Sequence, residues 1–474
     1  MQTYKWATLG THRGSPRLWI DGPFAERAGF QAGAKFEAIE NSDHVVLRLC
    51  SRGSRQVSSK LVAGGKRAIP VIDVNSRKVL DIFPTGCALR LIIRPGEILV
   101  TAIASVRRRV ERTARLRRKF ECGEALAIGS LTSGGGVLDH AVKTGLSSAG
   151  ITTRLAWANE IREDLMAQAF AHNEAFDADT LALEGPIQEI AFDESVMARV
   201  PRVDILIAGL PCSGASTPGR TRRRLELAEA HPLVGHLVVA AAAMLPRGNP
   251  SALVLESVTN YQRTASAAIL RNLLREFGYN TYEREFLGTD WGELEARRRW
   301  CMVALTEGIE FDFEALVPAP QEERLLSSVL EPLEAVAHRF SNMAGLKARQ
   351  ERKRAQGDRF LMQVYTGAEP YIHTLTKGMS RNRQTDPKFR HPDHPELLRV
   401  PTALEHARIK GAPEHLIEGL SQTTAHELLG QSICYAPFRA LGAHLGKALR
   451  RFGQGPVDRS PVPARGQLVL EGFG

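Results

Sequence analysis

One cysteine in the sequence stands where a reactive thiol would be placed. Cys212 follows Pro211 at the end of the apolar run in "DILIAGLPCSGAS", residues 204–216, and small residues come after it. A buried structural cysteine would lie within the run, whereas this one lies at its carboxyl end. Open α/β sheets place their active sites at that edge. Because a thiol there acts as a nucleophile when nearby positive charge lowers its pKa, Cys212 is the candidate nucleophile.

A carboxylate and two arginines form a second set of candidate groups. The apolar run "LVLESV" ends at Glu256, and "WGELEARRRW" supplies Arg297 and Arg299, which share one face if the segment is extended. Glu256 is therefore a candidate acid at the same sheet edge, and capping of a helix is the alternative interpretation. For the arginines, the alternative to ligand binding is a salt-bridged surface pair.

A glycine-rich turn and a second acid indicate a nucleotide-like ligand. The segment "GSLTSGGGVLDHAV", residues 129–142, predicts a strand that runs through a glycine-rich turn into a helix, where free N–H groups meet a ligand. Glu160 ends the next strand, 24 residues after Gly136, and an acid there accepts both hydroxyls of a ribose. The pair predicts a nucleoside-containing cofactor and leaves NAD and S-adenosylmethionine open. Tight packing is the alternative explanation for the glycines.

Alternating strands and helices must position these groups. From about residue 122 the pattern alternates strand and helix, which is typical of a parallel sheet. Residues 320–395 break the rhythm with polar, basic sequence such as "KARQERKRAQGDR", and helices return afterwards. We therefore predict an α/β fold with a catalytic core over 121–319 and 396–455, an insert over 320–395 and a tail over 456–474.

The first 103 residues look like one unit written twice. A strand, a short helical patch and two further strands recur over 17–49 and 69–102, with Asp21 matching Asp73 and Val46 matching Leu99. The pattern resembles the swapped-hairpin barrel of AbrB- and SymE-like DNA-binding domains. Coincidence between two β-rich segments is the alternative. We predict a β-rich, duplicated DNA-binding domain over 1–103.

Positive charge is concentrated in two regions. Residues 1–120 hold 23 Lys and Arg against 9 Asp and Glu, and residues 339–393 hold 12 against 5. Such concentration favours a polyanionic partner over a merely solubilising surface. Residues 104–120, "ASVRRRVERTARLRRKF", predict a basic linker helix that is either solvated or in contact with phosphates.

Composition narrows the class further. No apolar run reaches the length of about 18 residues that a membrane span needs, and the first residues lack the apolar core of an export signal. We therefore expect a cytoplasmic, nucleoid-associated protein with no membrane partner. None of the six cysteines forms a C-x-x-C pair, which predicts reduced thiols and no metal site.

Taken in order, the motifs resemble those of the DNA (cytosine-5)-methyltransferase family over about residues 122–450. "GLPCSGAS" is similar to its Pro-Cys motif, and "DWGELEARRRW" to its Asp-Tyr-Gly-x-Pro-Gln-x-Arg-x-Arg segment. "VPTALEHARIKGAP" is similar to its Leu-Thr-x-x-Glu-x-x-Arg-Leu-x-Gly-Phe-Pro segment, and "LLGQSI" to its Gly-Asn-Ser-Val. The sequence departs from the family pattern at Ser133, at Pro186, at Ser257 and at the Leu294-Glu295 pair.

The resemblance implies a Rossmann-like, S-adenosylmethionine-dependent methyltransferase fold with a small inserted target-recognition domain at 320–395. It implies that Cys212 attacks C6 of a flipped cytosine and that Glu256 protonates N3. Arg299, with Arg297, would hold the base and its flanking phosphate, and Glu160 would bind the ribose of S-adenosylmethionine. The other implied cofactor contacts are Leu131, Gly135, Gly136, Ile161, Ile187, Pro211, Gln431 and Ser432. The implied DNA contacts are Ser216, Arg381 and Arg383.

We therefore predict a bacterial or phage DNA cytosine-5 methyltransferase that acts as a monomer on double-stranded DNA. A cognate restriction endonuclease, where one exists, would act separately. The alternative is a DNA-binding regulator whose methyltransferase body is weakly active or inactive. Methylation of RNA cytosine is a third option, but its large family uses two cysteines and only Cys212 stands at a strand edge here.

Overall fold

The structure, a computed structural model, describes residues 2–62, 67–211, 214–216, 223–357 and 361–455. Cys212 lies outside the described residues, as does the predicted tail. The chain divides into two compact units, and the boundary falls after Glu111, within one long helix. Among the helices of the described ranges, none is long and apolar enough to cross a membrane.

Strands and helices are numbered here in chain order. The strands are β1 (Thr3–Thr8), β2 (Gly10–His12), β3 (Ser15–Asp21), β4 (Lys35–Glu40), β5 (His44–Leu49), β6 (Arg55–Gln56), β7 (Ser58–Leu61), β8 (Ala68–Asn75), β9 (Ala88–Arg94), β10 (Glu97–Ala102), β11 (Leu126–Leu131), β12 (Thr153–Glu160), β13 (Leu181–Glu184), β14 (Ile205–Gly209), β15 (Ala252–Ser257), β16 (Tyr279–Leu287), β17 (Glu295–Ala296), β18 (Arg298–Thr306), β19 (Val364–Tyr365), β20 (Ile372–His373), β21 (Lys388–Arg390) and β22 (Leu398–Arg399). The helices are α1 (Pro23–Arg27), α2 (Arg77–Leu80), α3 (Ala104–Cys122), α4 (Val137–Ser148), α5 (Glu163–His172), α6 (Ile187–Phe192), α7 (Glu194–Met197), α8 (Leu237–Gly248), α9 (Ala265–Glu276), α10 (Leu333–Val336), α11 (Ala344–Ala355), α12 (Ala403–Lys410), α13 (Gln422–Gln431) and α14 (Tyr435–Gln454).

The first unit repeats one arrangement twice, as the sequence predicts. The elements β3, α1, β4 and β5 recur as β8, α2, β9 and β10. Equivalent strands pair with each other: Ile20 of β3 lies opposite Ile72 of β8, and Val46 of β5 lies opposite Leu99 of β10. Pairing of matched residues in two antiparallel ladders gives the unit an internal two-fold relation. The resemblance to AbrB- and SymE-like domains stays a prediction.

Both repeats contribute to one apolar core in this unit. The six-stranded sheet has the order β1-β9-β10-β5-β4-β6, and the four-stranded sheet has the order β2-β3-β8-β7. Inward-facing residues alternate with outward ones along β3, which is the pattern of a sheet with one wet face. Leu18 and Leu47 from the first repeat share the buried cluster with Val74 and Leu91 from the second.

The second unit is built on a seven-stranded sheet with the order β13-β12-β11-β14-β15-β18-β16. The five strands from β13 to β15 are parallel, whereas β18 runs antiparallel to both of its neighbours. Every residue of β11 and of β15 is buried, because helices cover both faces of a parallel sheet. The predicted α/β methyltransferase-type architecture is therefore present.

Two helices on this sheet approach unusually closely. A Cβ atom added at Gly145 of α4 would lie 2.0 Å from the carbonyl oxygen of Arg439 in α14. Glycine at this crossing lets the backbones meet. The contact fixes α14 against α4, and Phe438 and Leu441 of α14 join the main core.

The basic helix α3 differs from the predicted linker. It spans Ala104–Cys122, and within the second unit its Arg112 is 1% exposed and Leu116 is fully buried. Arg115 and Lys119 both bind the buried carboxylate of Asp204, at 2.9 and 2.6 Å. The carboxyl-terminal half of α3 therefore packs into the second unit, and a linker role for the residues before Arg112 stays a prediction.

The insert over 320–395 is tied to the body of the second unit. Strand β20 pairs with β17, and β19, β21 and β22 form a small sheet of their own. Leu326, Ile372 and Phe389 of the insert share an apolar cluster with Leu294 and Ile409. Its helix α11 buries no residue. A role in target recognition stays a prediction.

Candidate functional site

The carboxyl ends of the parallel strands bring most of the predicted site residues to one edge of the sheet. Strand β11 ends at Leu131, β12 at Glu160 and β14 at Gly209, which is in register with Glu256 of β15. Pro211 follows β14 and directly precedes Cys212. Because parallel strands end at a common edge, Gly209, two residues before Pro211, lies beside Glu256.

Glu256 is buried at the end of β15 and is 8% exposed. Its Oε1 forms an ion pair with Nε of Arg299 at 2.7 Å. Burial raises the pKa of Glu256 above its usual range, and the charges of Arg299 and Arg297 oppose that shift. A carboxyl group whose proton is held by burial can donate it to a ring nitrogen.

Arg299 connects the acid to the opposite side of the site. Its Nη2 donates to the carbonyl oxygen of Ser432 at 3.3 Å, and its Nη1 donates to that of Arg298 at 2.8 Å. Arg299 therefore links Glu256 to Ser432, which the resemblance assigns to the cofactor pocket. The ion pair with Arg299 also orients the carboxyl group of Glu256.

Arg297 does not lie where the sequence analysis expected it. Its side chain is 1% exposed, and its Nη2 donates to the carbonyl oxygen of Gly430 at 2.9 Å. Its Nη1 faces Oε1 of Glu295 at 3.3 Å. We expected Arg297 to contact a base or a phosphate directly. That expectation is corrected, because its guanidinium is buried beneath the site, where it can only position other groups.

A buried ionic group lies under the two arginines, and sequence reasoning missed it. Glu295 accepts a hydrogen bond from Nζ of Lys410 at 2.5 Å and another from the N–H of Leu375 at 2.8 Å. The cations Lys410 and Arg297 lower the pKa of Glu295, although burial acts against them. Burial lowers the pKa of Lys410 to about 8. Two features of the sequence could have indicated this ionic group. Leu294-Glu295 replaces the family's Pro-Gln, and "ARIKG" contains Lys410.

Glu293 lies beside this group. It is 5% exposed, and its Oε1 accepts the N–H of Ala436 in the first turn of α14 at 2.6 Å. Burial raises the pKa of Glu293 to about 8. The carboxyl group therefore caps α14 and belongs to the support of the site.

An open cavity of about 370 Å³ adjoins the Glu256–Arg299 pair. Ser216, Val258, Arg298, Arg299 and Thr374 line it. Its volume is within the range of small-molecule sites, about 300–1,000 Å³. The predicted DNA contact Ser216 thus faces the same space as Arg299, and Thr374 brings the insert to its wall.

The glycine turn and Glu160 fit a nucleoside. Oε2 of Glu160 accepts the N–H of Gly134 at 2.8 Å, and Oε1 accepts that of Arg162 at 3.0 Å. Each carboxylate oxygen keeps a further lone pair for a ribose hydroxyl. Ile161, next in the chain, is 65% exposed and offers an apolar surface to an adenine. A hydrogen-bond acceptor and an apolar surface therefore lie together, as a nucleoside ligand requires.

The glycines also satisfy the packing explanation. A Cβ atom at Gly135 would lie 2.4 Å from Leu428, and one at Gly136, whose φ is +73°, would lie 2.5 Å from Nδ2 of Asn173. Leu131 is only 1% exposed and Ile187 only 3%. Their side chains shape this edge of the sheet from within.

The remaining predicted contacts are exposed or paired. Gln431 is exposed at the end of α13, beside Ser432. Arg381 is exposed in the insert. Arg383 is also exposed, but its guanidinium binds both carboxylate oxygens of Asp386, at 3.2 and 2.9 Å. DNA contact by Arg383 would require it to share or leave that partner.

The described part of the site therefore combines a glycine-rich turn, Glu160 and the Glu256–Arg299 pair at the carboxyl edge of the parallel strands. The profile of the C-5 cytosine-specific DNA methylase family matches residues 126–447. The chain belongs to this family.

Relatives agree with this assignment over about half of the chain. The type II methyltransferase M1.ScrFI of Lactococcus lactis subsp. cremoris is 23% identical over 53% of this chain and 64% of its own length. M.NlaX of Neisseria lactamica is 23% identical over 53% of this chain and 79% of its own. The matched segment thus spans less than two thirds of M1.ScrFI.

Solved structures share the fold. The S. pombe Dnmt2 methyltransferase superimposes with a TM-score of 0.52 at 17% identity, over 69% of this chain and 98% of its own. A Spodoptera frugiperda DNMT2 mutant gives a TM-score of 0.50 at 16% identity, over 69% of this chain and 99% of its own. These likenesses support the fold of the second unit.

Proposed function

We propose that this protein is a DNA cytosine-5 methyltransferase that uses S-adenosylmethionine and Cys212. The observation that carries the proposal is the buried Glu256, ion-paired with Arg299, in register with the strand end that leads to Cys212. Addition to an electron-poor ring requires a nucleophile together with an acid that can protonate the ring.

The chemistry follows from these groups. The Cys212 thiolate adds to C6 of an extruded cytosine, and Glu256 gives a proton to N3, so that negative charge does not accumulate on the ring. Arg299 holds the Glu256 carboxyl group in place and stabilises its anion after the proton has left. S-adenosylmethionine supplies the methyl group that C5 accepts. A base then removes the C5 proton, the Cys212 sulfur leaves from C6 as a thiolate, and the N3 proton returns to Glu256.

Several finer points belong to the same proposal. The substrate is duplex DNA, the enzyme acts as a monomer, and any cognate endonuclease acts separately. Glu160 and Ile161 hold the nucleoside part of the cofactor, with Gln431 and Ser432 on its far side. Arg381 and Arg383 contact DNA from the insert.

A covalent trap tests the proposal. The protein is incubated with S-adenosylmethionine and a sequence-diverse library of duplexes containing 5-fluorocytosine, which cannot lose its C5 substituent. We expect a denaturation-stable adduct by mass spectrometry, absent with Cys212→Ala and at least about 100-fold slower to form with Glu256→Gln.

The controls separate the alternatives. Duplexes with ordinary cytosine should give no trapped species, and an adduct on fluorinated RNA alone would move the substrate to RNA. DNA binding without an adduct on any duplex would reject the enzyme and leave the DNA-binding regulator.

A further inference from the structure

A second cluster of ligand-type side chains lies away from the Glu256–Arg299 pair. His140 of α4, Glu174 after α5 and His415 of the 3-10 helix Glu414–Ile417 each direct one donor atom to a common point. These donor atoms all lie within 4.8 Å of one another. The three residues are 34 and 241 positions apart, so no local motif announces them.

The geometry approaches that of a metal site. Nε2 of His140 lies 3.0 Å from Oε2 of Glu174, and Nε2 of His415 lies 3.1 Å from Oε1. With zinc bonds of 2.0–2.2 Å, neighbouring ligands of a tetrahedral ion are about 3.3 Å apart. The two observed separations need only small adjustments to match.

The cluster also has the supporting contacts that metal-binding histidines use. Nδ1 of His140 faces the Tyr435 hydroxyl at 2.7 Å, and such a partner orients the ring, with Nε2 toward Glu174. Lys143 holds the turn that carries Glu174, since its Nζ donates to the carbonyl oxygens of Glu174 and Ala175 at 2.9 and 3.1 Å.

We propose that His140, Glu174 and His415 form a binding site for a divalent transition metal of the zinc class. Two imidazoles and one carboxylate are a ligand set that suits zinc. The Glu174 side chain is 69% exposed and that of His415 is 40% exposed. A fourth position is therefore open to water, and the ion can enter from solvent.

Occupation of this site would act on the glycine turn. Asn173, which precedes Glu174, donates from Nδ2 to the carbonyl oxygens of Gly135 and Gly136 at 3.2 and 3.0 Å. His140 lies one helical turn after Gly136 and donates its N–H to that residue's carbonyl oxygen. A metal that joins His140 to Glu174 would therefore restrict the motion of the glycine turn from both the α4 side and the Asn173 side.

The test uses the full chain, stripped with a chelator and titrated with Zn²⁺ against a chromogenic competitor. We expect one tight equivalent in the wild type, lost in His415→Gln and in Glu174→Gln. Tyr435→Phe should bind about 10- to 100-fold more weakly, because it removes only the partner of Nδ1. His12→Gln, which removes an exposed histidine of the first unit, is the matched control and should bind like the wild type.

Two further measurements make the result decisive. Bound Co²⁺ should give a visible spectrum without sulfur-to-metal charge transfer, which separates this site from the free cysteines. Zn²⁺ should raise the thermal midpoint of the wild type but not of His415→Gln, whose circular dichroism shows whether it folds. Equal Zn²⁺ affinity and stoichiometry in wild type and His415→Gln, or no tight equivalent in the wild type, would overturn the site.

Discussion

Glu256 and Asp139 are two buried carboxyl groups that the fold treats differently. Glu256 has Arg299 at 2.7 Å, which moderates the effect of burial on its pKa. Asp139, in the first turn of α4, is 2% exposed, and burial raises its pKa to about 6, with the Ser130 hydroxyl acting against the shift. Glu256 has a cation that stabilises its charged form, whereas the ionisation of Asp139 opposes folding.

Asp139→Asn should therefore stabilise the protein in a pH-dependent way. The folded-state pKa of about 6 lies above the ordinary 3.8, so the folded chain holds this proton more tightly than the unfolded chain. The stabilisation that protonated Asp139 gives the folded state is complete below about pH 4 and is lost as the pH rises through 6. We expect the variant to gain up to about 3 kcal/mol at pH 8 and nothing at pH 4.

Thermal unfolding midpoints of wild type and variant across this pH range measure the effect. Asp179→Asn changes an exposed aspartate and should leave the midpoint unchanged at every pH. A variant that is equally destabilised at pH 4 and pH 8 would contradict the proposed origin of the shift.

Single residues show where sequence reasoning succeeds. Glu160 and Glu256 were found because each ends an apolar run, and the structure puts both at the carboxyl edge of the sheet. Arg297 was misjudged because alternation predicts a shared face but not how deeply that face is buried. His140, Glu174 and His415 could not be grouped, since only the tertiary fold brings them together.

At the scale of elements, the Glu295–Lys410 pair joins β17 to the end of α12. Both side chains are completely buried. Removal of Glu295 leaves the Lys410 and Arg297 charges buried together, and removal of Lys410 leaves Glu295 with Arg297 as its remaining cation. Loss of one partner of a buried ion pair costs about 3–5 kcal/mol, whereas neutral replacement of both is milder. Lys410→Met and Glu295→Gln should each lower the unfolding midpoint strongly.

The double variant Glu295→Gln/Lys410→Met should recover part of that loss in a double-mutant cycle of thermal unfolding. Arg408→Gln/Glu414→Gln removes a partly exposed ion pair nearby and should change the midpoint little. Additive losses at positions 295 and 410 would show that the two charges do not compensate each other.

Elements also mark the limit of local patterns. The periodicity of the sequence predicted the strand and helix alternation of the second unit, because parallel strands read as apolar runs. The same periodicity suggested that residues 320–395 are separate from the catalytic core. In the structure β20 of this insert pairs with β17 of the core, with Glu295 opposite Ile372. Pairing between short strands distant in sequence leaves no periodic trace.

At the scale of the whole molecule, the charge of the first unit predicts a contribution to DNA affinity. Deletion of residues 1–103 should weaken binding to duplexes of any sequence and flatten its dependence on salt. The slope of log affinity against log salt should fall by about 0.9 for each phosphate that the shortened chain no longer neutralises.

Fluorescence anisotropy at several salt concentrations measures this slope. The retained unit should still bind S-adenosylmethionine, which shows that it has folded. An unchanged affinity and slope would reject the role of the first unit in DNA binding.

The internal two-fold relation of the first unit has a consequence for mass action. If its two halves were separate chains, their association would depend on protein concentration, and dilution would dissociate them. Here Ile20 meets Ile72 and Val46 meets Leu99 within one chain, so assembly is unimolecular. Pairing of the two halves therefore adds no concentration dependence to the melting temperature of this unit. Each half is also free to diverge in its surface residues without imposing the same change on the other.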